Sequence, residues 1–335
     1  MLASAFLGLY WPGDLVQATT NGGTTWHSSL SDPSGIWGLD FASATVGWAV
    51  GLSNLYTTAN GGQSWNLEGE PSRPLVTVDF FNASSGYGIT TTGGLELSTD
   101  GGKTWQASSF TQAVTSECFT TAEAGYVATE AGGFIDATSN GGASWTQSYG
   151  LPFPIAPPGE VSTDLACQGS TVWALSDFGN TFGQANSSSY AVSLTLNGGR
   201  SWAMLGDNVA GSPPSVPGQT IPVPTPMTIL TTGPSSATII GYGGSAAQVV
   251  TATTSDGGAS FVKASAPVPL ATAANVPPTG LMAIDGAAQS GTKHLWLLLA
   301  VAASDPTTYN SVVLASTDGG QAWATVSQLA FPVAG

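Results

Sequence analysis

Glu68, Glu70, Glu160 and Asp177 are the side chains of this chain best placed for acid–base chemistry, and aromatic residues that could flank a sugar ring stand near them: Tyr149, Phe153, Phe178, Phe182 and Tyr190. Hydrolysis of a glycosidic bond needs two carboxyls across it, about 5–5.5 Å or 6.5–9.5 Å apart. Asp32, Glu130, Asp207, Asp305 and Tyr309 extend the same inventory, and Arg73 is the cation available to hold a ligand. No sequence spacing selects one acid pair. A binding surface and a hydrolase therefore both stand as expectations.

Other chemistries fare worse. The histidines are His27 and His294, and neither has a partner at metal-ligand spacing. A Ser-His-Asp site lacks any supporting motif such as G-x-S-x-G. Calcium could be held by carboxylates and carbonyls, but no recognisable loop offers them. The expectation is no metal and no cofactor. Among 335 residues, Lys and Arg number 5 against 20 Asp and Glu, a net charge of −15 without any basic cluster. That excludes nucleic-acid binding by phosphate neutralisation and docking on an anionic membrane. The longest apolar run, Leu295 to Ala303, is nine residues, less than half of the ~20 that a spanning helix needs.

Only 7% of residues are charged, against about 25% in average domains. With 42% hydrophobic residues, a large core is expected. Low charge of both signs suits an exported protein, extracellular or at the cell surface. Few carboxylates also suit acidic surroundings, since less charge changes on acidification; a neutral secreted protein fits as well. The opening MLASAFLGLYW is apolar but lacks the positive region of a signal peptide.

These residues must be positioned by a repeat. Asx-Gly-Gly-x-x-aromatic recurs seven times, at 21–26, 60–65, 100–105, 140–145, 197–202, 256–261 and 318–323. Asx before Gly-Gly is a tight-turn signature, because glycine supplies positive φ and the Asx side chain bonds nearby backbone. Alternating stretches precede the turns, such as LYTTA before Asn60, and two further strand-like pieces open each unit, such as IWGLDF and VGWAVG. Four short strands per unit of about 40 residues describe a propeller blade. The expected fold is an all-β, single-domain propeller over 1–335, with seven four-stranded antiparallel blades.

The pattern Ser/Thr-x-Asp/Asn-Gly-Gly-x-x-Trp resembles the Asp-box (BNR) repeat of sialidases, xyloglucanases, sortilin-type receptors and photosystem II assembly-factor-like proteins. The stretch LDF…VGWAVG…LYTTANGGQSW (Leu39 to Trp65) is most similar to the last group. The resemblance implies fold more than function, because Asp-box propellers host enzymes, receptors and assembly factors alike. Sialidases clamp a carboxylate with three arginines, and this chain has Arg73 and Arg200 alone; sialidase activity is excluded. The basic patch expected of an assembly factor is missing. Xyloglucanase-like hydrolysis stands as the alternative, since it needs two carboxylates across the scissile bond, although those enzymes grip their substrate between two propellers and one is expected here.

Asn21, Asn60, Asp100, Asn140, Asn197, Asp256 and Asp318 are read as structural turn residues, since an Asn cannot serve as acid or base. The aromatics that follow, from Trp26 to Trp323, are read as core. Asp40 and Asp79 close equivalent inner strands and are read as loop-fixing carboxylates, against a channel metal site. Extra length in later units falls at 149–160, 205–226 and 266–280, and at 177–190 and 302–310. These connections share the face opposite the Asp-box turns, which is the expected binding face for a polysaccharide or protein partner. The tail Leu329 to Gly335 has the spacing to complete the first blade and close the ring; a longer natural N-terminus is the rival explanation. Cys118 and Cys167 fall near the ends of neighbouring inner strands, either as a disulfide, favoured for an even pair in an exported chain, or as two buried thiols.

Overall fold

The computed structural model describes residues 2–4, 14–20, 25–69, 71–129, 133–151, 161–178, 189–207, 221–223, 225–243, 248–264, 268–269, 282–290, 293–302 and 308–332, and every regular element among them is a β-strand. Antiparallel sheets follow one another along the chain. The first contains β1 (Leu2–Ser4), β2 (Asp14–Ala18) and β3 (His27–Asp32). The second contains β4 (Ile36–Phe41), β5 (Gly47–Gly51), β6 (Leu55–Thr58) and β7 (Asn66–Gly69). The third runs through β8 (Leu75–Phe80), β9 (Gly86–Thr90), β10 (Leu95–Ser98) and β11 (Gln106–Ala107).

The fourth sheet comprises β12 (Val114–Phe119), β13 (Gly125–Thr129), β14 (Ile135–Thr138) and β15 (Thr146–Tyr149). Then come β16 (Ser162–Gln168), β17 (Thr171–Asp177), β18 (Tyr190–Thr195) and β19 (Ala203–Asp207). The sixth sheet has β20 (Thr225–Gly233), β21 (Ser236–Tyr242), β22 (Gln248–Thr254), β23 (Val262–Lys263) and β24 (Val268–Pro269). The last has β25 (Met282–Ser290), β26 (His294–Ala302), β27 (Thr308–Ser316) and β28 (Ala324–Pro332). Both β23 and β24 pair with β22 on the side away from β21, β23 at Ala252 and Thr253 and β24 at Gln248 and Val249.

This is an all-β propeller of four-stranded antiparallel blades, as the repeat implied. Among the described residues six blades are counted, not seven, and the first sheet has three strands. The expected closure by the C-terminal tail is not found. Leu329 to Pro332 continue β28 and pair with Ser311 to Thr308 of β27. The physical reason is the length of β27: without those residues, half of its outer edge would lack a backbone partner. Residues 333–335 and Met1 lie outside the described residues.

The Asp-box turns have one repeated geometry. Thr58 Oγ1 accepts the Gly62 N–H at 2.9 Å and donates to Asn60 Oδ1, which in turn accepts the Ser64 N–H at 3.0 Å. The equivalent hydroxyls of Ser98, Thr138, Thr195, Thr254 and Ser316 do the same for Gly102, Gly142, Gly199, Gly258 and Gly320. Both glycines of each described turn have positive φ, such as 70° and 75° at Gly61 and Gly62, a conformation open to glycine at little cost. The first glycine N–H then bonds a carbonyl of the turn between inner and second strands: Gly61 to Thr45, Gly101 to Ser84, Gly141 to Glu123. Those two turns therefore lie at the same end of each blade. Thr58→Val keeps the side-chain volume but leaves the buried Gly62 N–H without its acceptor. We expect it to cost about 1–3 kcal/mol, read as a lower denaturation midpoint.

Cores form between neighbouring sheets rather than within one. Trp48 stacks on Phe80 of the next sheet with centroids 3.7 Å apart, and Tyr87 stacks on Phe119 at 3.6 Å. These phenylalanine rings lie flat over Gly86 and Gly125, where a Cβ would fall 2.5 Å and 1.9 Å from ring atoms. An aromatic on the second strand and a Phe–Gly pair on the next sheet thus form a repeated interlock.

Candidate functional site

An inner strand is an edge, and its axis-facing N–H groups have no strand partner. Side chains of the preceding blade supply acceptors. Asp40 Oδ2 accepts the Phe80 N–H at 2.7 Å, Ser116 Oγ accepts the Leu165 N–H at 3.2 Å, and Asp164 Oδ2 accepts both the Ile229 N–H at 3.0 Å and the Thr228 hydroxyl at 2.7 Å. The relation is regular. Asp40 pairs across its own sheet with Trp48, and Asp79 occupies the same place opposite Tyr87. Each acceptor reaches one residue past its equivalent on the next inner strand. Asp40 thus bridges two blades, a wider role than the loop-fixing one read from the sequence.

Asp40, Asp79 and Glu117 lie on the inner strands β4, β8 and β12, close to the Asp-box end. Burial pushes Asp40 up to about 7, helped by the charge of Asp79. Burial alone takes Asp79 to about 6. Glu117 rises to about 8, first through burial and then through the charges of Asp79 and Asp40. Asp164 is raised by burial, against its hydrogen bonds from Thr228 and Ile229. All three carboxyls are thus raised toward neutrality. Among the described residues no group of His, Cys, Asp and Glu is arranged to hold a metal ion. Glu117 and Asp164 escaped the sequence reading, which followed the LDF and VDF strand ends; both sit one or two places earlier in their strands.

The residues expected on the opposite face divide sharply. Glu68 lies on β7, the outermost strand of its sheet, and accepts the Thr57 hydroxyl at 3.1 Å. Asp177 ends β17, a second strand three sheets further along. Phe178 is fully buried against Val161, Ala191 and Met204, so it is core and not an exposed loop ring. Tyr190 is also buried, its hydroxyl donating to the Ile221 carbonyl at 3.3 Å. The loop expected around them is shorter than the spacing suggests, because β17 and β18 extend beyond the equivalent strands of earlier units and carry these residues into the packed sheet. Tyr149 is partly buried, stacks on Trp202 at 5.0 Å and bonds Ser193 Oγ at 2.9 Å.

Arg73 pairs with the buried Glu96 at 2.6 Å. Asp32 accepts bonds from Ser34, Asn54 and Tyr56, which outweigh the effect of burial and hold its carboxyl below the usual range. Glu70, Glu130, Phe153, Glu160, Phe182, Asp305 and Asn21 lie outside the described residues, as do the side chains of Asp207 and Tyr309.

Residues 96–107 match the BNR/Asp-box repeat. Among solved structures the chain is similar to YCF48 bound to D1 peptide, with TM-score 0.52, 16% identity, and coverage of 94% of this chain and 86% of that one. It is also similar to the GH74 xyloglucanase of Xanthomonas campestris, at TM-score 0.52 and 13% identity over 97% and 68% of the two chains. A polysaccharide lyase of family PL25, an ulvan lyase bound to -[GlcA(1-4)Rha3S]-, gives TM-score 0.54 at 9% identity over 87% and 82%. These likenesses carry the propeller fold alone. Among curated proteins the sequence matches none.

Proposed function

We propose that this chain is a secreted, non-catalytic propeller that presents the end opposite its Asp-box turns to a polysaccharide or protein partner. One observation carries the reading: the two ends of the blades differ in what connects their strands. At the Asp-box end, inner and second strands are joined by short turns such as 42–46 and 169–170. At the other end, connections reach 150–161, 208–224 and 270–281 between blades, and 178–189 within one. Long connections gathered on one side of a rigid frame are the usual form of a binding face.

Similar folds bind both partner classes, a peptide in YCF48 and polysaccharides in the xyloglucanase and the lyase. The charge of −15 favours an uncharged glycan or a cationic protein segment over a sulfated glycan, because like charge is repelled before contact. In this reading the first sheet is a seventh blade. Its β2–β3 ladder shifts register at Val16/Gln17 as the β6–β7 ladder of the second sheet does at Leu55/Tyr56. The raised carboxyls of the inner strands are consistent with acidic surroundings.

A glycan array and a cationic peptide array on the full chain identify the partner class. Replacing 152–160 and 208–220 by short Gly-Ser turns is then expected to weaken binding about tenfold or more while the melting temperature holds. Unchanged affinity in both variants would place the site elsewhere and sink the reading. Release of reducing ends from a neutral polysaccharide, lost in Glu160→Gln or Asp177→Asn, would replace it with the hydrolase.

A further inference from the structure

We propose that Cys118 and Cys167 form a reversible disulfide that bolts the inner strands of two adjacent blades together. The proposal is independent of the partner assigned above. In this structure both are thiols, and Cys167 is close enough to be among the causes that raise the Cys118 thiol.

Register explains why they meet. Cys118 pairs with Tyr126 across its sheet, the place that Asp40 holds opposite Trp48 and Asp79 holds opposite Tyr87. Cys167 pairs with Val172 on β17, the place of Phe80 opposite Gly86 and Phe119 opposite Gly125. In the second and third sheets, the first position bonds across to the second: Asp40 reaches the Phe80 N–H. Two residues earlier on the same strands, Ser116 accepts the Leu165 N–H at 3.2 Å. That bond sets β12 and β16 in parallel register, so two residues further along both strands the sulfurs face one another.

The two substitutions are concerted. Where the two preceding junctions carry Asp40 or Asp79 on one inner strand and Phe80 or Phe119 over a glycine on the next, this junction carries Cys118, then Cys167 opposite Val172. Smaller Cys167 leaves room for the Val172 side chain that Phe would exclude. Tyr126 packs with both cysteines in the same cluster as Leu165 and Ala174, and so has sulfur neighbours in place of a ring to stack on. The junction has exchanged a carboxylate rung and an aromatic stack for two adjacent sulfurs.

Access is asymmetric. Cys118 is buried and Cys167 is partly exposed. An oxidant of the disulfide class would therefore meet Cys167 first. The Cys167 thiolate attacks one oxidant sulfur, forming a mixed disulfide and expelling a thiolate. Cys118 then loses its proton and attacks the Cys167 sulfur, expelling the second thiolate. Two protein thiols lose two electrons and two protons, and the oxidant disulfide becomes two thiols. Burial, followed by the Cys167 contact and the charges of Asp79 and Glu117, holds the Cys118 thiol well above its ordinary range. The second step is accordingly the slow one.

The test treats the reduced full chain with oxidised glutathione, followed by intact mass, alkylation after denaturation, a non-reducing gel and a melting curve. The expected product is a monomer lighter by two hydrogens, with neither thiol alkylatable, no glutathione attached and a melting temperature raised reversibly by dithiothreitol-sensitive closure. Cys118→Ser is expected to stop at a stable glutathione adduct on Cys167. A wild-type chain that keeps two alkylatable thiols, retains glutathione or links into dimers overturns the proposal, and this arm needs no variant to fold.

Discussion

Trp48→Ala will lower folding stability by about 3–5 kcal/mol, the largest effect expected of any single substitution on the frame. Its ring is 1% exposed and stacks on Phe80 with planes 6° apart. Its indole Nε1 donates to the Gly101 carbonyl of the next Asp-box turn at 2.9 Å. Truncation therefore opens a cavity between two blades and also orphans a carbonyl. Trp48→Phe separates the two terms: it keeps much of the stacking, and its cost should fall nearer ~1 kcal/mol, the scale of one hydrogen bond. Trp65→Ala, in the Asp-box itself, should cost less than Trp48→Ala. Trp65 is only partly buried, bonds Ser29 Oγ at 3.2 Å and meets Phe41 edge-on at 5.9 Å. Urea midpoints measure all three, and a Trp48→Ala chain as stable as Trp65→Ala would show that the blade interface is not the core.

That ordering was only half visible in the sequence. The Asp-box turn is legible because its determinants are local: a hydroxyl, an Asx and two glycines within five residues dictate its hydrogen bonds. The strands of a unit are legible for the same reason. What joins units is not local. The bulge that shifts the inner strand at Ile36/Gly38, Leu75/Thr77 and Val114/Ser116 decides which side chain of one blade meets which residue of the next. No composition signal marks it. Aligning Cys118 and Cys167 by distance to Tyr126 and Trp173 puts them two positions apart, whereas in the ladders they differ by one, because the turn after Phe119 is longer than 169–170.

The candidate site was legible in outline and misjudged in detail. Long connections could be counted, so the face carrying them was found. Exposure could not be counted. Phe178 and Tyr190 look like loop aromatics beside Pro-, Ser- and Gly-rich chain, yet both are strand-end residues covered by Val161, Met204 and the backbone at Ile221. The acids show the converse. Asp40 and Asp79 stand out in sequence only as equivalent strand ends and Glu117 not at all, and the arrangement of the inner strands is what brings their charges to bear on one another.

Those acids give the second large effect: the protein will melt at higher temperature at pH 5 than at pH 8, by roughly 5–10 °C. Asp40, Asp79 and Glu117 have folded values of about 7, 6 and 8, each above its ordinary range. The folded chain therefore holds protons that the unfolded chain releases. The resulting penalty is full above about pH 8, shrinks as pH falls through the folded values, and vanishes near pH 4. Carboxylates held below their usual range act in the opposite sense but in another window. Asp256, at about 2 through its bonds from Ser260 and Thr254, loses stabilisation only below about pH 4, so it does not offset the trend between pH 8 and 5. Relief of the overall charge of −15 would also favour acid, and a variant separates the two causes. Glu117→Gln removes one raised carboxyl and changes the net charge by one in fifteen. It should raise the melting temperature at pH 8 and flatten the rise toward pH 5. Asp40→Asn should act likewise, because its amide oxygen can still accept the Phe80 N–H. A wild-type melting temperature that is flat or falling from pH 8 to 5, or a slope untouched by Glu117→Gln, would mean that the inner acids are ionised and solvated at neutral pH.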